Sequence, residues 1–435
     1  MSKRACVHTI GCRLNQSESA LIADRLRDAG YRVVPFGETA DLGIINTCTV
    51  TREADAKSRQ AVRAFIRKNP AAYTAVVGCY SQLGFKTLAD IQGVDLIVGT
   101  QEKLNVLQYV TQQKNETPLI VRDRIERDDF TIPATGKHSR IQRTNLKLQD
   151  GCDFMCSFCA IPFARGRARS RAFGNLMEEA RQLNEQGVRE IVLTGVNLGM
   201  YRQEHRTLVD VLDALSEVAG IARIRISSIE PTTIPEAVLE RMAAPDHPLV
   251  PHLHIPVQSG SDRILGLMRR RYTRCEYQQF IEYAAIRVPD ICIGTDLMVG
   301  FPGETDRDFQ ATAQLLAESP IAYAHVFKFS ERHNTPAARM SEKIDSGTQN
   351  RRSRMLRDLS KMKRRAFHSR FVGRTMEVLF ETERNGFWVG HTGNYIRVLV
   401  RCSQQLANQI QSVRLDRASD ECVVGSLDCA DHAKP

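Results

Sequence analysis

Six of the chain's twelve cysteines fall into two groups of three that differ in spacing. The compact group consists of Cys152, Cys156 and Cys159. The dispersed group consists of Cys12, Cys48 and Cys79, each of which closes a short apolar run. Three thiolates can bind three irons of a cubic [4Fe–4S] cluster and leave the fourth iron open to another ligand. Two such groups therefore predict two reactive metal centres in one protein.

Zinc is the alternative metal for the compact group. A structural zinc site needs four protein ligands, and no fourth Cys or His lies near residues 152–159 in the sequence. Ferredoxins use C-x2-C-x2-C with a further Cys-Pro, which is a different spacing. The C-x3-C-x2-C spacing therefore favours an iron–sulfur cluster with an open iron. The other six cysteines share no pattern, and we interpret them as core or surface thiols.

The elements that position the dispersed cysteines lie in residues 1–115. Strand and helix patterns alternate there, which predicts an N-terminal doubly wound parallel sheet. In such sheets, sites form beyond the C-terminal ends of the strands. Cys12, Cys48 and Cys79 all lie at that end of a predicted strand. We therefore expect them to converge although they are far apart in sequence.

Three further segments follow this sheet. Residues 116–137 are polar and predict a linker. Residues 138–370 carry six more strand patterns separated by helical ones, which suit either an incomplete β/α barrel or an open sheet. Residues 371–435 read as short strands separated by turns, as in a small β-barrel. The sequence thus predicts an α/β protein of three domains.

The charge distribution favours a polyanionic partner. The chain has 60 basic and 50 acidic side chains, a formal charge of +10, and a strongly basic stretch at 351–370. With the aromatic residues of the tail, Trp388 among them, this stretch suggests RNA binding, although a solvated helix and core aromatics are the plain alternatives. No apolar run is long enough to span a membrane. Many cysteines without a secretory signal favour a reducing cytoplasm.

Longer strings give a specific resemblance. The residues QDGCDFMCSFCAIPFARGRARSR, with GTDLMVGFPGET at 294–305, resemble the radical S-adenosylmethionine methylthiotransferase family. The strings GCRLNQSES, INTCTVTREADAKSRQ and VGCYSQ resemble that family's N-terminal cluster domain, and the tail resembles its RNA-binding TRAM domain. The resemblance covers nearly the whole chain. It implies a central partial (β/α)6 radical barrel, S-adenosylmethionine, and two [4Fe–4S] clusters held by the two cysteine groups.

The string NTCTVT followed by ADAKSRQ most resembles the branch that acts on N6-threonylcarbamoyladenosine at tRNA position 37. That branch implies conversion of this nucleoside to its 2-methylthio derivative. It also implies an electron donor such as a flavodoxin or ferredoxin, and a sulfur donor. The alternatives are methylthiolation of isopentenyladenosine tRNA or of a ribosomal protein aspartate. A non-catalytic, zinc-containing RNA-binding protein is the alternative from another class.

Further site residues are predicted around the clusters. By resemblance, the cofactor S-adenosylmethionine meets residues at strand ends and beside the compact group: Phe158, Thr194, Gly195, Ser228, Glu230, Gln258 and Asp296. The alternating arginines of ARGRARSR would share one face of an extended chain and could bind a substrate carboxylate or phosphates. They are Arg165, Arg167, Arg169 and Arg171, and a solvated charge run is their plain alternative. We expect the two open irons to face one cavity, on the order of 10 Å apart.

Overall fold

A computed structural model describes residues 2–111, 113–133 and 143–428. It confirms the predicted fold class. A parallel sheet with helices on both faces is followed by a six-stranded β/α unit and then by a closed barrel of five strands. Cys429, one of the cysteines interpreted from the sequence as core or surface thiols, lies outside the described residues.

The N-terminal sheet has six parallel strands in the order β2-β1-β3-β4-β5-β6. The strands are β1 (Arg4–Thr9), β2 (Arg32–Val33), β3 (Leu42–Thr47), β4 (Tyr73–Gly78), β5 (Leu96–Val98) and β6 (Leu119–Val121). The helices are α1 (Arg13–Asp28), α2 (Arg52–Lys68), α3 (Cys79–Leu83) and α4 (Phe85–Ala89). The edge strand β6 lies in the segment that the sequence predicted as a linker.

Alternation along the strands builds a core on each face of this sheet. Ala5 packs in the cluster that contains Ile22 of α1, whereas its neighbour Cys6 packs in the cluster that contains Phe65 of α2. Successive side chains of a strand point to opposite faces, and both faces are covered by helices. This arrangement explains the nearly continuous apolar runs of β3 and β4.

The central unit consists of two three-stranded parallel sheets, ordered β13-β10-β7 and β14-β15-β16. Bridges between Ile224 and Leu249 and between Ser228 and His254 join them into one open, six-stranded array. Its strands are β7 (Arg143–Lys147), β10 (Glu190–Thr194), β13 (Arg223–Ile226), β14 (His252–His254), β15 (Cys292–Val299) and β16 (Ile321–Lys328). This geometry is the partial barrel of the prediction.

Helices separate these strands, and two short hairpin-like pairs lie between them. The helices are α5 (Ile161–Arg165), α6 (Phe173–Glu185), α7 (Leu208–Ser216), α8 (Glu236–Ala243), α9 (Asp262–Leu267), α10 (Arg274–Arg287), α11 (Asp306–Glu318) and α12 (Ser346–Ser369). The short strands are β8 (Gln149–Asp150), β9 (Arg169–Ser170), β11 (Arg202–Gln203) and β12 (Arg206–Thr207). The basic stretch of the sequence forms most of α12.

The tail closes into a barrel in the order β17-β18-β19-β21-β20. Its strands are β17 (Thr375–Arg384), β18 (Phe387–Thr392), β19 (Arg397–Val400), β20 (Ile410–Ala418) and β21 (Val423–Leu427). Its core is continuous with Tyr323 of β16 and Phe367 of α12. Two arginines of β13 donate to barrel carbonyls, Arg223 to His391 (2.9 Å) and Arg225 to Gly393 (2.8 Å). The barrel is therefore fixed to the central unit.

In the part of the chain that the structure describes, no helix combines the length and the apolar character that a membrane crossing requires. The eleven cysteines in these ranges all carry free thiols.

Candidate active site

The dispersed cysteines lie at the C-terminal ends of three adjacent strands. Cys12 begins the turn into α1 after β1, Cys48 directly follows β3, and Cys79 directly follows β4 and begins α3. These strands are neighbours in the sheet, and the three thiols are close enough to influence one another's charge. The predicted convergence is what the structure shows.

Glycines make this close approach possible. Gly11 has a φ of +114°, and a Cβ built there would lie 2.7 Å from the Cβ of Cys48 and 2.9 Å from its Sγ. A side chain at position 11 would therefore collide with Cys48. Gly78, before Cys79, has a φ of +102°, a conformation that favours glycine. The Gly-Cys pairs of the sequence are thus requirements of the site.

The compact group lies in the loop between β8 and α5. The N–H of Cys152 donates to the carbonyl of Gly166 (3.2 Å), and the N–H of Cys159 donates to the carbonyl of Cys156 (3.1 Å). All three thiols influence one another's ionisation. The tight hydrogen bonding inside the loop directs the three sulfurs to one place.

Gln149 locks this loop to the end of β10. Its side-chain NH2 donates to the carbonyls of Asp150 (2.8 Å) and Gly151 (2.7 Å). Its Oε1 accepts from the backbone N–H groups of Val196 and Asn197, both at 2.9 Å. One buried amide therefore satisfies four backbone groups of two loops. Sequence reasoning did not identify Gln149 as a positioning residue.

Burial strongly disfavours free thiolates in both groups. It raises the pKa of Cys48 and of Cys159 to about 12 and that of Cys152 to about 11. A buried thiol of this kind becomes a thiolate only when a metal cation takes the place of its proton. The soft sulfur donors suit iron–sulfur or zinc rather than magnesium or calcium. Both groups thus fit thiolate-bound metal.

A buried arginine donates to one sulfur of each group. Arg270 Nη1 lies 3.3 Å from Cys156 Sγ, and Arg165 Nε lies 3.2 Å from Cys79 Sγ. Such N–H···S hydrogen bonds stabilise negative charge on the sulfur and raise the reduction potential of an iron–sulfur cluster. Arg270 was missed at the sequence level because it stands in a run of arginines, Arg269–Arg271, without a motif.

Glu230 holds Arg270 in this position. Its Oε1 accepts from Arg270 Nη1 at 3.1 Å, and its Oε2 accepts from Arg270 Nη2. The hydroxyl of Tyr272 and the carbonyl of Pro256 contact the same guanidinium. Glu230 was predicted to contact S-adenosylmethionine. In the structure its two carboxylate oxygens are engaged by Arg270.

Arg165 lies between the N-terminal and central domains, in a cluster of buried charges. Besides Cys79, it contacts Glu18 (3.0 Å) and Asp150 (3.0 Å). Glu18 also pairs with Lys103 (2.6 Å) and Lys147 (2.9 Å). Burial opposes the charge of Glu18, but the three cations together hold its pKa below the usual range. Since Glu18 and Lys103 come from one domain and the others from its neighbour, this cluster fixes the two cysteine groups relative to each other.

The prediction that four alternating arginines line one wall is wrong. Arg165 ends the helix α5, so the segment is not extended throughout. Arg169 packs against the ring of Phe130 and donates to Gln101, whereas Arg171 pairs with Glu179. Only Arg167 is exposed, with Asp153 at 3.6 Å. The helical turn and separate buried partners disperse the guanidiniums into four environments.

A cavity of about 540 Å³ lies where all three domains meet. The N-terminal domain contributes Cys12 and Arg13 to its wall, the central unit contributes Arg364, and the barrel contributes Tyr395 and Arg397. Five of the chain's eleven histidines also line it, namely His252, His254, His325, His368 and His391. The expectation that both cysteine groups open onto one cavity stays a prediction, since the cavity wall contains Cys12 but none of the compact group.

Four of the predicted cofactor residues also border this cavity, namely Thr194, Gly195, Ser228 and Asp296. Ser228 Oγ lies 2.8 Å from His254 Nδ1, and Asp296 Oδ1 lies 3.2 Å from His254 Nε2 and 3.3 Å from His325 Nδ1. Gln258 has a left-handed backbone, with a φ of +74°, and its N–H donates to the carbonyl of Asp296 (2.9 Å).

Two aromatic predictions have different outcomes. Phe158 packs against an apolar cluster that includes Ile264 and Phe301, beside the compact cysteines. Trp388 was predicted to bind substrate, but it is only 5% exposed and lies in the barrel core. It faces inward because alternate residues of β18 do so, and it therefore offers no free ring face to a base.

The residues around Cys48 dock the central unit. Thr49 donates to Asp55 (2.7 Å), and Arg332 of the central unit contacts Thr49 Oγ1 (2.6 Å) and Asp55 Oδ2 (2.7 Å). The string around the second cysteine thus combines a thiol with an interdomain contact. This contact orients the dispersed group toward the central unit.

Comparisons with known proteins agree with this geometry. Residues 146–316 match the Radical SAM superfamily, and residues 4–99 match a family described as "Uncharacterized protein family UPF0004". The threonylcarbamoyladenosine tRNA methylthiotransferase MtaB of Bacillus subtilis is 37% identical over 94% of this chain and 93% of its own. The chain belongs to the radical S-adenosylmethionine methylthiotransferase family. The tRNA-2-methylthio-N(6)-dimethylallyladenosine synthase of Aquifex aeolicus, from the same family, is 32% identical over 98% of this chain and 99% of its own.

A solved structure shares the fold. The radical S-adenosylmethionine methyltransferase TsrM of Kitasatospora setae has a TM-score of 0.57 and 14% identity, covering 78% of this chain and 77% of its own. As a radical S-adenosylmethionine methylthiotransferase, the protein is an enzyme that uses S-adenosylmethionine and a [4Fe–4S] cluster. The compact thiols, with Arg270 beside Cys156, fit that cluster.

Proposed function

We propose that this enzyme converts N6-threonylcarbamoyladenosine at tRNA position 37 to its 2-methylthio derivative, with one [4Fe–4S] cluster on each cysteine group. The observation that carries the proposal is the pairing of two thiol triads, one at adjacent strand ends of the N-terminal sheet and one after the first strands of the partial barrel. The names of the most similar relatives, which include MtaB of Bacillus subtilis, support the tRNA nucleoside as substrate.

The chemistry requires replacement of an unactivated C–H bond on the adenine ring. Side-chain acids and bases cannot break such a bond, so S-adenosylmethionine and the clusters supply one-electron chemistry when they are bound. This chain's residues bind and orient the reactants. Cys152, Cys156 and Cys159 hold one cluster, and Arg270 donates to the sulfur of Cys156. The dispersed thiols hold the second cluster, at the wall of the three-domain cavity.

The charge cluster around Arg165 has the positioning role in this proposal. Arg165 spans the domain junction, because it contacts Glu18 and Cys79 on one side and Asp150 on the other. Reactions between two bound centres depend on distance and orientation. We therefore assign Arg165 the role of fixing the distance and orientation between the two centres. This role replaces the substrate contact predicted from the sequence.

The electron donor and the sulfur donor are parts of the proposal that come from the resemblance. The cytoplasmic location, where the enzyme would bind tRNA, is also part of the proposal. Isopentenyladenosine tRNA, whose nucleoside is also called dimethylallyladenosine, is the alternative substrate, because a relative named tRNA-2-methylthio-N(6)-dimethylallyladenosine synthase is 32% identical to this chain.

Mass spectrometry of tRNA nucleosides tests the identity of the substrate and the separate roles of the two cysteine groups. A strain that lacks this protein should accumulate N6-threonylcarbamoyladenosine and lose its 2-methylthio derivative, and wild-type protein should restore it. Cys156→Ala should abolish both S-adenosylmethionine cleavage and product. Cys48→Ala should leave S-adenosylmethionine cleavage largely intact but form no product, because it removes a ligand of the second cluster only.

Cys275→Ala provides the matched control, since Cys275 is exposed and lies outside both groups. If the strain that lacks this protein instead lost the 2-methylthio derivative of dimethylallyladenosine, the alternative substrate would be assigned. Methylthiolated tRNA from the Cys48→Ala protein would contradict the two-cluster mechanism.

A further inference from the structure

One arginine from each domain reaches the three-domain cavity. Arg13 belongs to the N-terminal domain and Arg364 to α12 of the central unit. Arg397 is the first residue of β19 in the barrel. Among the described residues, none of these three guanidiniums forms an ion pair with a carboxylate. Arg13 donates to the hydroxyl of Tyr395, and Arg364 lies over the ring of Tyr323, 5.1 Å from its centroid. Arginines that converge without an acidic partner indicate a site for an anion.

The acidic side chains at the cavity do not neutralise these arginines. Asp296 is already shared by His254 and His325, at 3.2 and 3.3 Å. Glu421, the other carboxylate at the wall, is exposed. The interior of the cavity is therefore cationic. A planar guanidinium can bind a carboxylate with two parallel hydrogen bonds.

The backbone at the cavity supports a built site. Tyr395 has a φ of +68°, a conformation that is strained for a bulky residue. Its ring is held by Arg225 (4.8 Å to the centroid), by Arg13 (5.4 Å) and by the stacked ring of His391 (5.1 Å). This packing keeps Arg13 at the cavity wall. Strained residues held in this way are concentrated at ligand sites.

We propose that Arg13, Arg364 and Arg397 form the subsite that binds the carboxylate of the threonylcarbamoyl group on the substrate adenosine. This inference rests on the proposed function and names the residues that distinguish that substrate from the uncharged dimethylallyl one. The cavity, at about 540 Å³, is in the range of pockets that hold ligands of nucleoside size. In this proposal the three arginines of the subsite bind the substrate carboxylate, in place of the arginines at 165–171 that were predicted from the sequence.

The test measures binding of the anaerobically purified, cluster-loaded protein to three anticodon stem-loop RNAs. One carries N6-threonylcarbamoyladenosine at position 37, the second carries the same group with its carboxylate converted to a carboxamide, and the third carries unmodified adenosine. The wild-type protein should bind the carboxylate RNA about tenfold more tightly than the carboxamide RNA, as expected for charge-assisted hydrogen bonds. Arg364→Gln and Arg397→Gln should each reduce this preference several-fold and leave carboxamide binding within about twofold, a result that also shows the variants to be folded.

Arg351→Gln is the matched control, because Arg351 is exposed at the start of α12 and lies away from the cavity. Its preference should equal that of the wild type. If Arg364→Gln and Arg397→Gln weakened the binding of all three RNAs equally, the arginines would bind RNA phosphates and the inference would be overturned. If these variants instead weakened the binding of S-adenosylmethionine, measured by equilibrium dialysis, the arginines would bind the cofactor's carboxylate. The inference would then be overturned as well.

The failure of this inference differs from the failure of the proposed function. Wild-type protein that methylthiolates the threonylcarbamoyl RNA but shows no preference for carboxylate over carboxamide would refute the subsite alone. Wild-type protein that methylthiolates only a dimethylallyladenosine RNA would refute the proposed function and the subsite together.

Discussion

At the scale of single residues, the site depends on buried partners of the cysteines. The sequence located all six thiols because spacing and strand-end position are visible in it. Their arginine partners were not visible, because nothing in the run Arg269–Arg271 marks Arg270 as the donor to Cys156. The assignment of Trp388 to RNA failed for a related reason. Composition reveals an aromatic residue, but the strand register decides which face it occupies.

Removal of the Arg270 hydrogen bond should change the electrochemistry of the compact cluster. Arg270→Met combined with Glu230→Gln avoids leaving an unpaired buried carboxylate. We expect a reduction potential lower by on the order of 50 mV, because a donor to a cluster sulfur stabilises the reduced, more negative state. A redox titration followed by electron paramagnetic resonance measures it.

Arg271→Gln is the control for this variant, because Arg271 packs on Phe154 and donates to the carbonyl of Asp153, not to a cysteine sulfur. Its potential should match that of the wild type. An unchanged potential in the double variant would show that Arg270 has no influence on the cluster.

At the scale of elements, helix α1 connects the first cysteine to the neighbouring domain. The string GCRLNQSES places Cys12 before the helix and Glu18 one and a half turns into it, opposite Lys147 and Arg165. The strand and helix patterns predicted the elements on both sides of this junction. They did not predict the charge cluster, because its five charged members come from four separate segments of the chain.

Glu18→Gln should destabilise the junction strongly. The variant leaves Lys103, Lys147 and Arg165 with only Asp150 as a buried counter-charge. Breaking a buried ion pair on one side costs about 3–5 kcal/mol, so the midpoint of urea unfolding at pH 7 should fall. Glu53→Gln, at an exposed helix pair with Lys57, should leave the midpoint almost unchanged, because surface ion pairs contribute little to stability. Equal midpoints for the two variants would contradict the role of the cluster.

At the scale of the whole molecule, the three domains close around one cationic cavity, and α12 leads toward it. Arg357, Lys361, Arg364 and His368 are spaced at i, i+4, i+7 and i+11 and thus share one side of this helix. The last two line the cavity. Arg357 and Lys361 are exposed, so they are available to RNA phosphates.

The double variant Arg357→Gln/Lys361→Gln should weaken tRNA binding and reduce the slope of log K against log salt by about 1–2, through the loss of two phosphate contacts. Arg63→Gln/Arg67→Gln, at exposed positions of α2, should leave that slope unchanged. An unchanged slope in the α12 variant would show that RNA does not follow this helix. Point variants are preferable to deletion of the barrel, because the barrel core is shared with Tyr323 and Phe367.

The most direct test of two clusters in one enzyme is the iron content of anaerobically reconstituted protein. Wild-type protein should contain about eight irons per chain, as expected for two [4Fe–4S] cubes. A Cys12→Ala/Cys48→Ala/Cys79→Ala variant should contain about four and still cleave S-adenosylmethionine. About four irons in the wild type, with the same content in the triple variant, would contradict the account.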